Sequence, residues 1–174
     1  QFTIANGPFG ETAKFDVCLG AVKGSELDLS SIKVDLTAGK YRGNFALPKD
    51  WTAFAPVDSK YQPTEAELNT IPEKLNGVSG SRMLRANQKI DFAPLLGDGA
   101  EKCGWVFAEL QSPIEADCTL GAGGDWWMQL YVNGEKVVDT MKTGNVKAPV
   151  AMDNYLPLIR LKKGRNIIAA KLVT

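Results

Sequence analysis

The chain has 174 residues, 44% of them hydrophobic, which suffices for one domain that buries about 70% of the surface its unfolded form exposes. Its 20 basic and 20 acidic residues cancel to a formal charge of zero, so neither nucleic acid nor an anionic membrane surface is an expected partner. Histidine is absent, which removes the commonest general base, the commonest metal ligand and every Ser-His or Cys-His nucleophile.

The expected location is extracellular, either secreted or at a cell surface. The chain begins at Gln1 rather than at Met, which favours a mature exported protein over an excised domain. No apolar run approaches the roughly 20 residues needed to cross a bilayer, so membrane insertion is not expected.

The cysteines Cys18, Cys103 and Cys118 are compatible with export and lack metal-binding spacing. A hairpin about Ser112-Pro113 would leave Cys103 and Cys118 out of register, so that a disulfide would involve Cys18. Three buried free thiols are the other interpretation, and both stay open.

Short strand patterns separated by turn residues recur along the chain, whereas amphipathic helical periodicity is weak. Residues 58–80 are polar and predict a surface loop with one helical turn, in which Thr64 and Glu67 form a capping box. Strands are predicted at 15–22, 31–36, 40–47, 89–92, 104–110, 118–121, 126–132, 135–140, 155–161 and 166–173.

These elements predict an all-β fold, a β-sandwich of the jelly-roll kind, rather than a barrel or a βαβ fold. Residues 1–174 are expected to form a single domain, with residues 1–47 as an N-terminal β segment. In the stretch DWTAFAPV, Trp51 and Phe54 are expected to fill the end of the core.

Alternation with period two divides residues 126–132 into two faces of one strand. The face expected in the core carries Trp126, Met128, Leu130 and Val132. The other face carries Trp127, Gln129 and Tyr131. Flat rings beside an amide are typical of sugar sites, where rings stack on a pyranose and amides bind its hydroxyls. A second buried face under a loop has the same composition, and both interpretations stay open.

Asn133-Gly134 predicts a tight type I′ hairpin, because Asn and Gly tolerate positive φ. The expected register pairs Val132 with Glu135 and Leu130 with Val137, which places Val137 on the core face.

Asp125 follows the Gly-rich corner at residues 121–124, where missing side chains let another backbone approach closely. It is a candidate ligand-binding residue, and the alternative is a turn in which Asp125 accepts hydrogen bonds from backbone amides. No cofactor or metal site is assigned. Calcium is kept only as a weaker alternative, resting on the scattered oxygen ligands Asp125, Asp139, Asp153 and Asn154.

The stretches GAGGDWWMQLYVNGEKVVDT at 121–140, LKKGRNIIAAKLV at 161–173 and DWTAFAP at 50–56 resemble the galactose-binding-domain-like jelly-roll modules of secreted bacterial proteins. The resemblance covers residues 50–173 and implies a carbohydrate-binding-module-like, non-catalytic domain. Ala55 stands where these modules usually carry Gly, and residues 1–47 lie outside the match.

The expected function is therefore that of a non-catalytic extracellular module that binds a polysaccharide or glycan. Its predicted ligand-binding residues are Trp127, Gln129, Tyr131 and Asp125, and no catalytic residue is predicted. The alternative is a self-assembling structural subunit of an extracellular filament or sheath, in which identical copies exchange β-strands to form a homopolymer. Residues 1–17 have the alternation of a donor strand for such an assembly.

Overall fold

The computed structural model describes residues 3–6, 15–18, 47–85, 89–97, 102–145, 147 and 149–174, the first two stretches as backbone only. The chain divides into two compact units, Gln1–Leu47 and Pro48–Thr174. Whether they make a single domain stays a prediction.

In the first unit, β1 (Thr3–Asn6) pairs antiparallel with β2 (Phe15–Cys18). The proposed donor segment therefore pairs with itself over these residues. The predicted strands at 31–36 and 40–47 lie outside the described residues, apart from Leu47.

The second unit is mostly β, which confirms the broader fold prediction. Six of its strands form one open antiparallel sheet in the order β10-β9-β12-β7-β3-β6, and two further pairs are β8 with β11 and β4 with β5. The sandwich and its jelly-roll topology stay predictions. In chain order the elements are β3 (Asp50–Val57), α1 (Glu65–Leu68), β4 (Lys74–Leu75), β5 (Val78–Ser79), β6 (Ser81–Leu84), α2 (Ala93–Leu96), β7 (Cys103–Ser112), β8 (Ala116–Thr119), β9 (Trp127–Val132), β10 (Glu135–Asp139), β11 (Leu158–Leu161) and β12 (Gly164–Val173).

The central strands β7 and β12 are buried on both faces, which explains why their sequences are almost continuously apolar. On the first face Ala169 lies opposite both Phe107 and Tyr131. Residues 58–80, named here the cover segment, contribute two members of the buried cluster on this face, Leu68 and Leu75, and the partly buried Tyr61, Ile71 and Val78 pack against it. The cluster comprises Phe54, Val57, Leu68, Leu75, Cys103, Trp105, Phe107, Tyr131, Ile167 and Ala169.

The cover segment begins its helical turn as predicted. Thr64 Oγ1 accepts from the backbone N–H of Glu67, and Glu67 Oε2 accepts from that of Thr64, so the capping box is confirmed. Glu67 also accepts a hydrogen bond from the Tyr61 hydroxyl at 2.8 Å. The predicted surface loop is thus an ordered layer over an aromatic sheet face.

Lys171 ties the cover segment to the sheet. Its side chain is fully buried on β12, where Nζ donates to the carbonyl oxygens of Ser59 at 2.6 Å and Tyr61 at 3.3 Å. The ammonium also lies 5.8 Å from the centre of the Trp105 ring. Burial lowers the pKa of Lys171, since removal from water disfavours the charged form.

The second face of the large sheet is equally apolar. Phe92 lies against Gly104, where an added Cβ would come within 2.6 Å of the ring. The strand predicted at 89–92 is absent, because the chain turns there into α2, with Asp91 accepting from the N–H of Ala93. Buried residues of this face include Val106, Ala108, Leu110, Met128, Leu130, Val132, Ile168 and Ala170.

DWTAFAPV forms β3, an inner strand that the sequence did not predict. Trp51 and Phe54 are buried, as expected. Adjacent apolar residues and Pro56 obscure the alternation that marks a strand, since β3 is apolar on both sides.

Asn133 and Gly134 have φ of 51° and 82°, and Glu135 pairs with Val132 as predicted. The predicted pairing of Leu130 with Val137 is wrong. A bulge between Lys136 and Val138 brings Val138 opposite Leu130, so Val138 is buried while Val137 is only partly so. One extra residue in a strand reverses the side-chain alternation beyond it.

Cys103 and Cys118 are both buried and free. They do not share a hairpin, because β7 pairs with β12 and β3 whereas β8 pairs with β11. Burial raises the pKa of the Cys103 thiol to about 11, an effect that the Lys171 charge partly offsets.

Replacing Lys171 by Met should lower the free energy of unfolding by about 1–3 kcal/mol, because the carbonyl groups of Ser59 and Tyr61 lose their donor while the volume is nearly kept. Urea denaturation measures the change, and the exposed Lys162→Met variant is the matched control. A Lys171→Met protein as stable as the wild type would show that the hydrogen bonds of Lys171 to the cover segment contribute nothing to stability.

The stability of the protein should fall in alkaline solution as the Cys103 thiol titrates. Its pKa is raised from 9.0 to about 11, so its contribution is complete below pH 9 and is lost as pH rises to about 11. The stability difference between wild type and Cys103→Ala should shrink by roughly 2 kcal/mol over this range, in urea titrations at several pH values. For Leu110→Ala, which removes no titratable group, the difference should be the same at each pH.

Candidate functional site

Two neighbouring tryptophans form an aromatic surface at the start of β9. The ring centroids of Trp126 and Trp127 are 5.9 Å apart and their planes are inclined by 27°. Trp126 is 57% exposed, whereas Trp127 is partly buried. These two residues are named here the indole shelf, and Trp126 supplies most of its accessible ring surface.

Asn145 holds the shelf against the loop that follows β10. Its backbone N–H donates to the carbonyl oxygen of Trp126 at 2.5 Å, and its side-chain amide donates to that of Gly124. Its Oδ1 in turn accepts from the Tyr155 hydroxyl at 3.3 Å. The backbone beneath Trp126 is therefore fixed on both sides of Asp125.

The Gly-rich corner makes room for another segment of the same chain. A Cβ at Gly121 would lie 2.7 Å from the carbonyl oxygen of Met152, and one at Gly123 would collide with that of Ala151 and lie 3.0 Å from Asn154 Oδ1. The close backbone approach that the sequence suggested is thus made by residues 151–154.

Polar groups surround the corner. Asp125 is exposed beside the shelf. Lys147 Nζ donates to the carbonyl oxygen of Asn154 and lies 5.2 Å from the centre of the Tyr155 ring. Asn154 is buried, and its Oδ1 accepts from the N–H of Ala151 at 3.0 Å. These contacts close the loop onto the corner and leave Asp125 accessible to solvent.

Two of the predicted ligand-binding residues lie in the interior. Gln129 and Tyr131 are 6% and 7% exposed, and the Tyr131 hydroxyl donates to Gln129 Oε1 at 3.2 Å. Tyr131 packs on Trp105 with ring centroids 5.7 Å apart, and burial raises the pKa of its hydroxyl. Both side chains therefore pack in the interior. Of the four predicted ligand-binding residues, Trp127 and Asp125 are the ones that solvent reaches.

The prediction that Trp126 lies on the core face is wrong, since this side chain is exposed. It was expected in the core, but β9 begins at Trp127, so the alternation of the strand does not extend to it. Met128, Leu130 and Val132 are buried as predicted. Gly123-Gly124, just upstream, is the signal that could have moved the strand boundary past Trp126, since glycine weakens strands.

The residues considered for calcium do not converge. Asp139 accepts hydrogen bonds from Lys136, Gln129 and the N–H of Met141. Although burial opposes it, these bonds hold the Asp139 pKa below its usual value. In the parts of the chain that the structure describes, no group of three or more Cys, Asp or Glu is placed to hold a metal ion.

No protein-family model, curated protein or solved structure matches the chain. Within the described residues, neither helix is long and apolar enough to cross a membrane.

Gly123→Ala should destabilise the corner. The glycine does not have positive φ, so the cost is purely steric, and the backbone of residues 151–154 must move. We expect a loss of about 1–3 kcal/mol in the free energy of unfolding by urea denaturation. Asp125→Ala, at an exposed position in the same corner, should leave stability unchanged. Equal stability of the two variants would contradict the close approach.

Proposed function

We propose that the chain is a non-catalytic extracellular module that binds carbohydrate, a polysaccharide or a glycan, through the indole shelf. The observation that carries the proposal is the exposed Trp126 ring, backed on one side by Trp127 and flanked by Asp125. The finer fold that we propose is a β-sandwich of the galactose-binding-domain-like jelly-roll kind, with the large sheet as one layer.

The shelf has the chemistry of a sugar platform. An indole face attracts the C–H groups of a pyranose, whose ring hydroxyls need a polar acceptor such as a carboxylate. Because Trp127 lies behind Trp126, a ligand stacks on the outward face of Trp126 and reaches Asp125 at its edge.

The shelf is also preorganised for binding. Asn145 fixes the backbone on both sides of Asp125, and Trp127 restricts the rotation of the neighbouring ring. Little conformational entropy is then lost on binding, which favours affinity from a small contact.

The alternative of a filament or sheath subunit has weaker support. β1 pairs with β2 rather than lying unpaired. The outer edge strand β10 carries a bulge and the charged residues Lys136 and Asp139, which are features that discourage strand addition.

Trp126→Ala should weaken binding to a soluble polysaccharide by about tenfold or more and leave the free energy of unfolding unchanged, since the ring is exposed. Affinity electrophoresis across neutral and acidic polysaccharides, followed by calorimetry on the best ligand, measures both quantities.

The matched control is Leu158→Ala, which removes another exposed apolar side chain, 73% accessible, from outside the shelf. It should bind like the wild type. Unchanged binding by Trp126→Ala would refute the shelf as the site, and failure of the wild type to bind any polysaccharide would refute the function.

A further inference from the structure

Two Asn-Gly turns of this chain have nearly the same backbone and very different surroundings. Asn76 and Gly77 have φ of 49° and 80° at the tip of β4-β5. Asn133 and Gly134 have φ of 51° and 82° at the tip of β9-β10. Because dipeptide and turn geometry match, any difference in their chemical reactivity comes from what holds the side chain.

The amide of Asn133 is held at both ends. Its Nδ2 donates to Asn166 Oδ1 at 2.9 Å, and its Oδ1 accepts from the N–H of Ile167 at 2.9 Å. The glycine is enclosed as well, since a Cβ at Gly134 would lie 2.8 Å from Asn69 Nδ2. Attack on this amide first requires both hydrogen bonds to break.

The amide of Asn76 has no such restraint. Asn76 and Gly77 are both exposed, and a Cβ at Gly77 would have no atom within 4 Å. No described residue bonds the Asn76 side chain. The strands on either side have only two residues each, so few ladder hydrogen bonds restrain the turn itself.

We infer that Asn76-Gly77 is a site of spontaneous deamidation in the folded protein, whereas the hydrogen bonds of Asn133 protect Asn133-Gly134. The backbone nitrogen of Gly77, having lost its proton, attacks Cγ of Asn76. The Cγ–Nδ2 bond breaks, and ammonia leaves with a proton from solvent. Water then opens the cyclic imide at either carbonyl, giving aspartate or isoaspartate at position 76.

The modification acts on the cover segment. The backbone N–H of Asn76 lies near the Tyr61 hydroxyl, whose oxygen donates to the Glu67 carboxylate. Deamidation adds a negative charge near this carboxylate, and isoaspartate also reroutes the backbone through the side chain. The aged protein therefore has a weakened contact between the hairpin tip and Tyr61.

The test is incubation of the full chain in mildly alkaline buffer, followed by peptide mapping with mass spectrometry and isoaspartyl methyltransferase labelling. Peptides containing Asn76, Asn133 and Asn6, the third Asn-Gly pair, are followed separately. In the folded protein, position 76 should convert at least about tenfold faster than position 133, because two hydrogen bonds must break at the latter. In concentrated urea the two rates should become similar.

Asn76→Gly is the matched control, because Gly-Gly keeps the type I′ turn and removes the reactive amide. The peptide of this variant that contains position 76 should show no conversion to aspartate or isoaspartate, and Asn133 should still convert slowly. The inference is overturned if position 133 converts as fast as position 76 in the folded protein. It is also overturned if position 76 keeps its amide in the folded chain while the unfolded chain converts.

Discussion

The buried ammonium of Lys171 is the interaction on which the arrangement of this fold depends. One face of the large sheet is aromatic, and without a cover Trp105 and Tyr131 would face water. The cover segment has little regular structure to hold it there. Lys171 reaches from the central strand β12 to two carbonyl groups of the cover segment, those of Ser59 and Tyr61. A single long side chain thus supplies the hydrogen bonds that a neighbouring strand would otherwise give. Burying the charge costs free energy, and the two carbonyls and the Trp105 ring partly offset that cost.

A second constraint links the two turns at one end of the sheet. Asn133 begins the hairpin between β9 and β10, and Asn166 shapes the turn between β11 and β12 by bonding the backbone of Lys162 and Gly164. The amide–amide bond between Asn133 and Asn166 joins these turns directly. Buried amides specify geometry because each group left unbonded would be costly. The register of β9 against β12 is therefore fixed at the turn as well as along the ladder.

The sequence predicted local structure well where one residue type determines the backbone. Asn133-Gly134 marked its turn, and Thr64 with Glu67 marked their cap, because both signals act within four residues. It failed where the outcome depends on distant partners. The apolar DWTAFAPV could not be recognised as an inner strand, and the bulge that buries Val138 instead of Val137 leaves no local pattern. For the candidate site, residue type was enough to nominate Asp125 and Trp127, whereas the exposure of Trp126 depends on where β9 begins.

The different exposures of four residues in and just before β9 follow from where each lies in the sheet. These residues are Trp126, Trp127, Gln129 and Tyr131. Tyr131 and Gln129 lie opposite Ala169 and Lys171 of strand β12, and Tyr131 packs in the same buried cluster as Trp105. Trp127 lies opposite Val173 at the end of the ladder, and Trp126 precedes the strand altogether. Of these four side chains, the most exposed is therefore the one that lies outside the paired strand. The exposed Trp126 ring therefore stands at the glycine corner, where Asn145 and the loop at 151–154 contact the backbone closely.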